Sequence, residues 1–166
     1  PADLLASPFG WHDENGIAGA EYTITRGNNV HAYEDQDADN LPGYSPNSPT
    51  LQFNYPIDFN LPPVSNIDAS ITNLFYANNR IHDYLHHFGF TEAAGNFQQT
   101  NYGAGGLAND PVSAHGLDGA GLSNANFSTP PDGSAPRMQM FLWNASCSSL
   151  LLTNMGSVAV NTAVFS

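Results

Sequence analysis

The chain has 166 residues, about one ordinary domain, and sets 15 acidic residues against three cations, Arg26, Arg80 and Arg137, for a formal charge of −12. Nothing in so acidic a chain neutralises a phosphate backbone, so nucleic-acid binding and docking on an acidic lipid surface are both excluded. No apolar run is long enough to span a bilayer, and the lone Cys147 excludes an internal disulfide framework.

Charged residues make up only 11% of the chain, lysine is absent, and Gly and Pro together number 27 (15 and 12). That composition describes a polar, loop-rich chain of the kind found outside cells. The first residues lack a basic start followed by an apolar stretch, so no signal peptide is expected within them.

The first 30 residues are punctuated by Pro and Gly and predict turns with short extended pieces. Glu21 to Thr25 is β-branched and aromatic and predicts a strand, and Val30 to Tyr33 predicts a second beyond the Asn28-Asn29 turn. An acidic run, Glu34 to Asn40, leads into a Pro/Ser/Asn-rich loop. Leu51 to Tyr55 alternates apolar and polar residues, which is strand periodicity.

Ser65 to Phe88 predicts the long helix. Ser65-x-x-Asp68 has the form of a capping box. Ile71, Leu74, Phe75, Ile81, Leu85 and Phe88 recur with helical spacing as a buried stripe, and Gly89 supplies the stop. Further on, Phe97 to Tyr102 is a strand candidate, while Gly103–Gly106 and Gly116–Gly121 predict turns. Arg137 to Trp143 predicts a strand. The tail from Asn144 is uncharged, with one more strand candidate over Val158–Val164 and a glycosylation sequon at Asn144.

Three patterns bear on chemistry. His82-Asp83-Tyr84-Leu85-His86 puts two histidines at i and i+4 on one helix face, where they could grip a zinc ion. It differs from H-E-x-x-H by an aspartate in the glutamate position. The alternative is a core histidine, His82, and a helix-end cation, His86. Asp35-x-Asp37-x-Asp39 converges carboxylates on one turn, which suits calcium. It is not an EF-hand: Asn40 occupies the glycine position and Pro46 the final glutamate position. The alternative is a solvated acidic loop. Asn124-Ala125-Asn126-Phe127 suits either an edge strand that pairs with an extended peptide or an ordinary loop. Cys147 has no cationic neighbour and no C-x-x-C partner, which marks it as an incidental residue.

Several longer strings resemble the secreted fungalysin family of zinc metallopeptidases. They are S-P-F-G-W-H-D (7–13), G-N-N-V-H-A-Y-E-D (27–35), N-R-I-H-D-Y-L-H-H-F-G-F-T-E-A-A-G-N-F-Q (79–98), N-A-N-F-S-T-P-P-D-G (124–133) and R-M-Q-M-F-L-W (137–143). Their order is similar to the N-terminal half of a thermolysin-like fold. The resemblance implies that Pro1 lies near the start of a mature catalytic domain. It also implies that the His82/His86 helix is structural, with the zinc-binding H-E-x-x-H and a third, glutamate ligand later in the chain. No H-E-x-x-H occurs in these 166 residues.

The expected fold class is α+β: a β-rich, loop-heavy N-terminal lobe over residues 1–143 with one long amphipathic helix, then, over 144–166, either a divergent uncharged tail or the start of an inserted domain. The resemblance implies part of an extracellular zinc endopeptidase that is inactive alone and forms one wall of the substrate cleft. Asn124, Ala125 and Asn126 would hold the backbone of a peptide or protein substrate. Asp35, Asp37 and Asp39 would hold calcium, and the zinc ligands would come from the missing C-terminal half. The alternative is a non-catalytic secreted protein, derived from that lobe, that associates with copies of itself.

Overall fold

The computed structural model describes residues 1–143. The tail, with the strand candidate Val158–Val164, Cys147 and the Asn144 sequon, lies outside the described residues. One helix packs on a four-stranded mixed sheet. The strands are β1 (Val30–Glu34), β2 (Val112–Leu122), β3 (Ala125–Ser128) and β4 (Arg137–Leu142), in spatial order β1-β2-β4-β3. β1, β2 and β4 run parallel, and β3 pairs antiparallel with β4. The α+β, loop-rich class is therefore observed, with the helix as the crossover between parallel β1 and β2.

The helix, α1, runs Ile67–His86. A 3₁₀ turn, Pro63–Asn66, precedes it, and no side-chain hydrogen bond caps either turn, so the expected capping box does not form. Asn66 instead braces the preceding loop, accepting from the Asp58 amide at 2.9 Å, and Asp68 accepts from the Tyr44 hydroxyl at 2.6 Å. At the other end Gly89 adopts φ 96°, and the Phe90 amide closes back on the Leu85 carbonyl at 3.1 Å. This is the glycine-terminated stop that the sequence predicts.

Ile71, Leu74 and Phe75 pack on Val30, Ala32, Val112, Ala114 and Met140 to form the core. The second half of the predicted stripe is not buried: Ile81, Leu85 and Phe88 are 48%, 38% and 72% exposed. The buried line continues from Phe75 through Asn79, His82 and Asp83. Ile81 and Leu85 lie on the adjacent line, one step round the helix, so helical spacing alone could not separate the two.

β2 overturns the turn predicted at Gly116–Gly121. Both Gly116 and Gly119 serve close packing. A Cβ at 116 would overlap Ile71 Cδ1, and one at 119 would overlap the Gln36 carbonyl oxygen. The glycines thus let the helix and the acidic turn settle on the central strand. The stretches 21–25, 51–55 and 97–102 form no ladder; only the isolated bridges Ile24–Asn47 and Arg26–His31 appear near the first. Their side chains are used otherwise. Phe53 stacks on His12 at 5.5 Å, and Gln98 exchanges hydrogen bonds with Asp110 in the loop before β2.

Candidate functional site

β3 lies at one end of the sheet, with β4 on one side and no strand on the other among the described residues. The Phe141 amide donates to the Asn124 carbonyl at 3.2 Å, and Asn126 stands opposite Gln139. In an antiparallel ladder hydrogen-bonded pairs alternate, so the backbone groups of 124, 126 and 128 face β4. Those of Ala125 and Phe127 face the open edge. The Asn126 side chain donates to Gln139 Oε1 at 3.1 Å, while Asn124 Oδ1 accepts from the Ala125 amide at 2.9 Å. The three predicted residues do lie together on this edge, and Phe127 joins them.

The acidic turn also converges: Asp35, Asp37 and Asp39 each bring a carboxylate oxygen within 4.8 Å of the others. Asp37 and Asp39 are exposed, whereas Asp35 is buried. Asp35 Oδ1 accepts from the amides of Asp39 and Asn40 at 3.1 and 3.3 Å. Burial pushes the Asp35 carboxyl above its usual range; His115 opposes this and Asp118 reinforces it.

That buried oxygen pair leads to a cluster that the sequence did not reveal. Tyr33, His115 and Gln139 are register partners across β1, β2 and β4, and Asn126 extends the row onto β3. Tyr33 Oη is 2.7 Å from His115 Nε2, and Gln139 Nε2 donates to Asp118 Oδ2 at 2.8 Å. His115 Nδ1 stands 2.9 Å from Asp35 Oδ2 and 3.3 Å from Asp118 Oδ2, with all three side chains essentially without solvent contact. Residues three apart on a regular strand face opposite sides. The register slips between His115 and Asp118, where Leu117 adopts φ 53°, and this bulge brings both to one side.

The histidine pair forms no such site. His82 Nε2 is 3.3 Å from Asn96 Nδ2 and its Nδ1 is 3.2 Å from Asp83; His86 reaches Glu92 at 3.3 Å. Asp83 is not poised over a water. It accepts from the Asp3 amide, the Ser7 hydroxyl and the Trp11 indole at 2.9, 2.7 and 2.9 Å, pinning the N-terminal segment to α1. His12, in the same S-P-F-G-W-H-D string, binds the Arg26 carbonyl at 2.9 Å. These strings thus describe one structural joint.

Residues 1–154 match the fungalysin metallopeptidase (M36) family. The chain belongs to this family. Its fungalysin relatives include extracellular metalloproteinase 5 of Trichophyton rubrum, 49% identical over 146 residues, covering 86% of this chain and 23% of the relative. Extracellular metalloproteinase 5 of Arthroderma benhamiae is 47% identical over 145 residues, covering 86% and 22%. Extracellular metalloproteinase mep of Aspergillus flavus is 48% identical over 149 residues, covering 88% and 23%. The chain therefore spans about a quarter of the length of these curated relatives. No helix among the described residues is long and apolar enough to cross a membrane.

Proposed function

We propose that this chain is the N-terminal portion of a secreted zinc-dependent endopeptidase, in which it walls the substrate cleft and does not hydrolyse peptides by itself. The open edge of β3 carries the reading. An extended peptide can pair with the outward Ala125 carbonyl and with the outward amide and carbonyl of Phe127, as an added strand does. Asn124 and Asn126 hold that edge in place, one through the Ala125 amide and the other through Gln139.

The zinc that the family implies does not fit a site of the family's kind here. The chain has no H-E-x-x-H; in the pair that comes closest to one, both His82 nitrogens face polar partners and His86 Nε2 faces Glu92. The ligands and general base are therefore assigned to the remainder of the enzyme, and no hydrolytic step to these residues. An apolar groove of about 310 Å³ supports such a partner. Ile81, Leu85, Phe90, Phe97, Phe127 and Met138 line it, joining the exposed line of α1 to β3. Extracellular placement follows the names of the relatives and agrees with the lysine-free composition.

The reading includes calcium at Asp35, Asp37 and Asp39, where the convergence of three carboxylates supplies the support. A calcium-dependent rise in melting temperature, lost in Asp37→Asn, is the expected result. No response to calcium would remove that part.

A chimera tests the peptide edge. Residues 1–143 replace the matching segment of the Aspergillus flavus metalloproteinase, and casein hydrolysis is followed. Proline at an edge position whose N–H does not face the neighbouring strand leaves the sheet intact. Phe127→Pro should therefore lower kcat/KM at least about tenfold relative to a Phe127→Ala chimera, about 1.4 kcal/mol of transition-state stabilisation. A Phe127→Pro chimera with the same kcat/KM as the Phe127→Ala chimera contradicts the assignment.

A further inference from the structure

We propose that Asp35, His115 and Asp118 form a buried metal site for one divalent cation of the zinc–cobalt type. The site does not depend on the peptidase reading above.

The spacing is that of ligands around a shared centre. His115 Nδ1 lies 2.9 and 3.3 Å from one oxygen of each carboxylate, and all three atoms fall within 4.8 Å of one another. Ligand atoms at zinc bond lengths on a tetrahedron stand roughly 3.3 Å apart. The 2.9 Å approach of His115 Nδ1 to Asp35 Oδ2 is an ion-pair distance, yet both atoms are buried without a well-formed hydrogen bond. Two polar atoms buried without a hydrogen bond cost free energy unless something lies between them.

Charge points the same way. The two carboxylates have no solvent contact, and among the described residues His115 is the one basic side chain in ion-pair contact with them. A protonated imidazole leaves the cluster at −1. A divalent cation with neutral imidazole brings it to zero.

The surrounding groups orient the three donors as outer-shell partners do. Tyr33 Oη lies 2.7 Å from His115 Nε2; in the tautomer with the proton on Nε2 it accepts from that nitrogen, and Nδ1 presents its lone pair to the cluster. Gln139 Nε2 and the Ala120 amide hold the two oxygens of Asp118 at 2.8 and 2.7 Å. The Asp39 and Asn40 amides hold the far oxygen of Asp35. One imidazole and two carboxylates suit a borderline cation; calcium asks for six to eight oxygens, more than this enclosed set offers. A bound ion would brace the end of β1 to the bulge in β2 and, through Gln139, to β4.

The test uses the whole 166-residue chain, stripped with a chelator, loaded with zinc or cobalt and desalted. Elemental analysis should find about one ion per chain, with a raised melting temperature and a visible cobalt spectrum. Asp118→Asn and His115→Gln should each abolish retention, whereas Asp37→Asn and His86→Ala should keep it. Should both buried variants fail to fold, NMR of the cobalt-loaded wild type decides. Paramagnetic broadening centred on Tyr33 and Gln139 supports the site, and broadening centred on His86 or Asp37 overturns it. Wild-type protein that retains no ion, or retention that survives His115→Gln in folded protein, also overturns it.

Discussion

Asp83 shows how a single carboxylate can set both local structure and acid sensitivity. Burial raises its pKa, but the hydrogen bonds from His82, the Asp3 amide, Ser7 and Trp11 outweigh that and hold it below the ordinary value of 3.8. A depressed carboxylate contributes stability that is present above the unfolded value and lost as pH falls through the lower folded one. Asp83→Asn should cost roughly 2–4 kcal/mol near neutral pH, read from urea midpoints, and should flatten the acid loss below pH 3.8. A midpoint equal to that of the wild type would show that the joint to the N-terminal segment is not formed. His31 acts in a higher window. Burial, then the charge of Arg26, lowers its pKa from 6.5 to about 4. Between those values the unfolded chain takes the proton more readily, so stability falls as pH drops from 6.5 towards about 4. His31→Gln should reduce that slope; an unchanged slope between pH 7 and 4 would contradict the burial of the ring. From sequence, Asp83 reads as part of a near-zinc motif, because its partners at residues 3, 7 and 11 are distant in the chain.

Along α1, the packed half and the exposed half should respond differently. Leu74 is 2% exposed in the core, and Leu74→Ala should cost ~2–5 kcal/mol. Leu85, on the groove, should cost under about 1.5 kcal/mol in this chain, because much of its surface is already in water. Equal losses in denaturation would mean that the groove is closed. Gly116→Ala should destabilise by ~1–3 kcal/mol through overlap with Ile71, and an unaffected midpoint would refute that packing. Local patterning made α1, β1 and β4 legible, since each carries its own periodicity or β-branched and aromatic content. β2 was not legible. Its Gly116, Gly119 and Gly121 resemble turn residues, and only the approach of Ile71, Gln36 and Phe141 from elsewhere explains them. The buried His115–Asp118 pairing was hidden for a related reason, because it exists only where the register slips.

At the scale of the whole molecule, long ordered strings made the family legible well before any single site was. They hold because Trp11, Asn29, Asn79 and Asp83 are tied into one hydrogen-bonded joint between the N-terminal segment and α1. The N-A-N-F string left an edge strand and an ordinary loop both open, and which of its backbone groups face outward required the ladder itself. The isolated chain should show no chelator-sensitive hydrolysis of casein, since it carries no H-E-x-x-H. The most direct measurement of its role is casein hydrolysis by the chimera that joins residues 1–143 to the remainder of the Aspergillus flavus metalloproteinase. The predicted result is zinc-dependent hydrolysis that a chelator abolishes, with none from the isolated chain under the same conditions. A folded, zinc-loaded chimera with no hydrolysis, or chelator-sensitive hydrolysis by the isolated chain, would contradict the account.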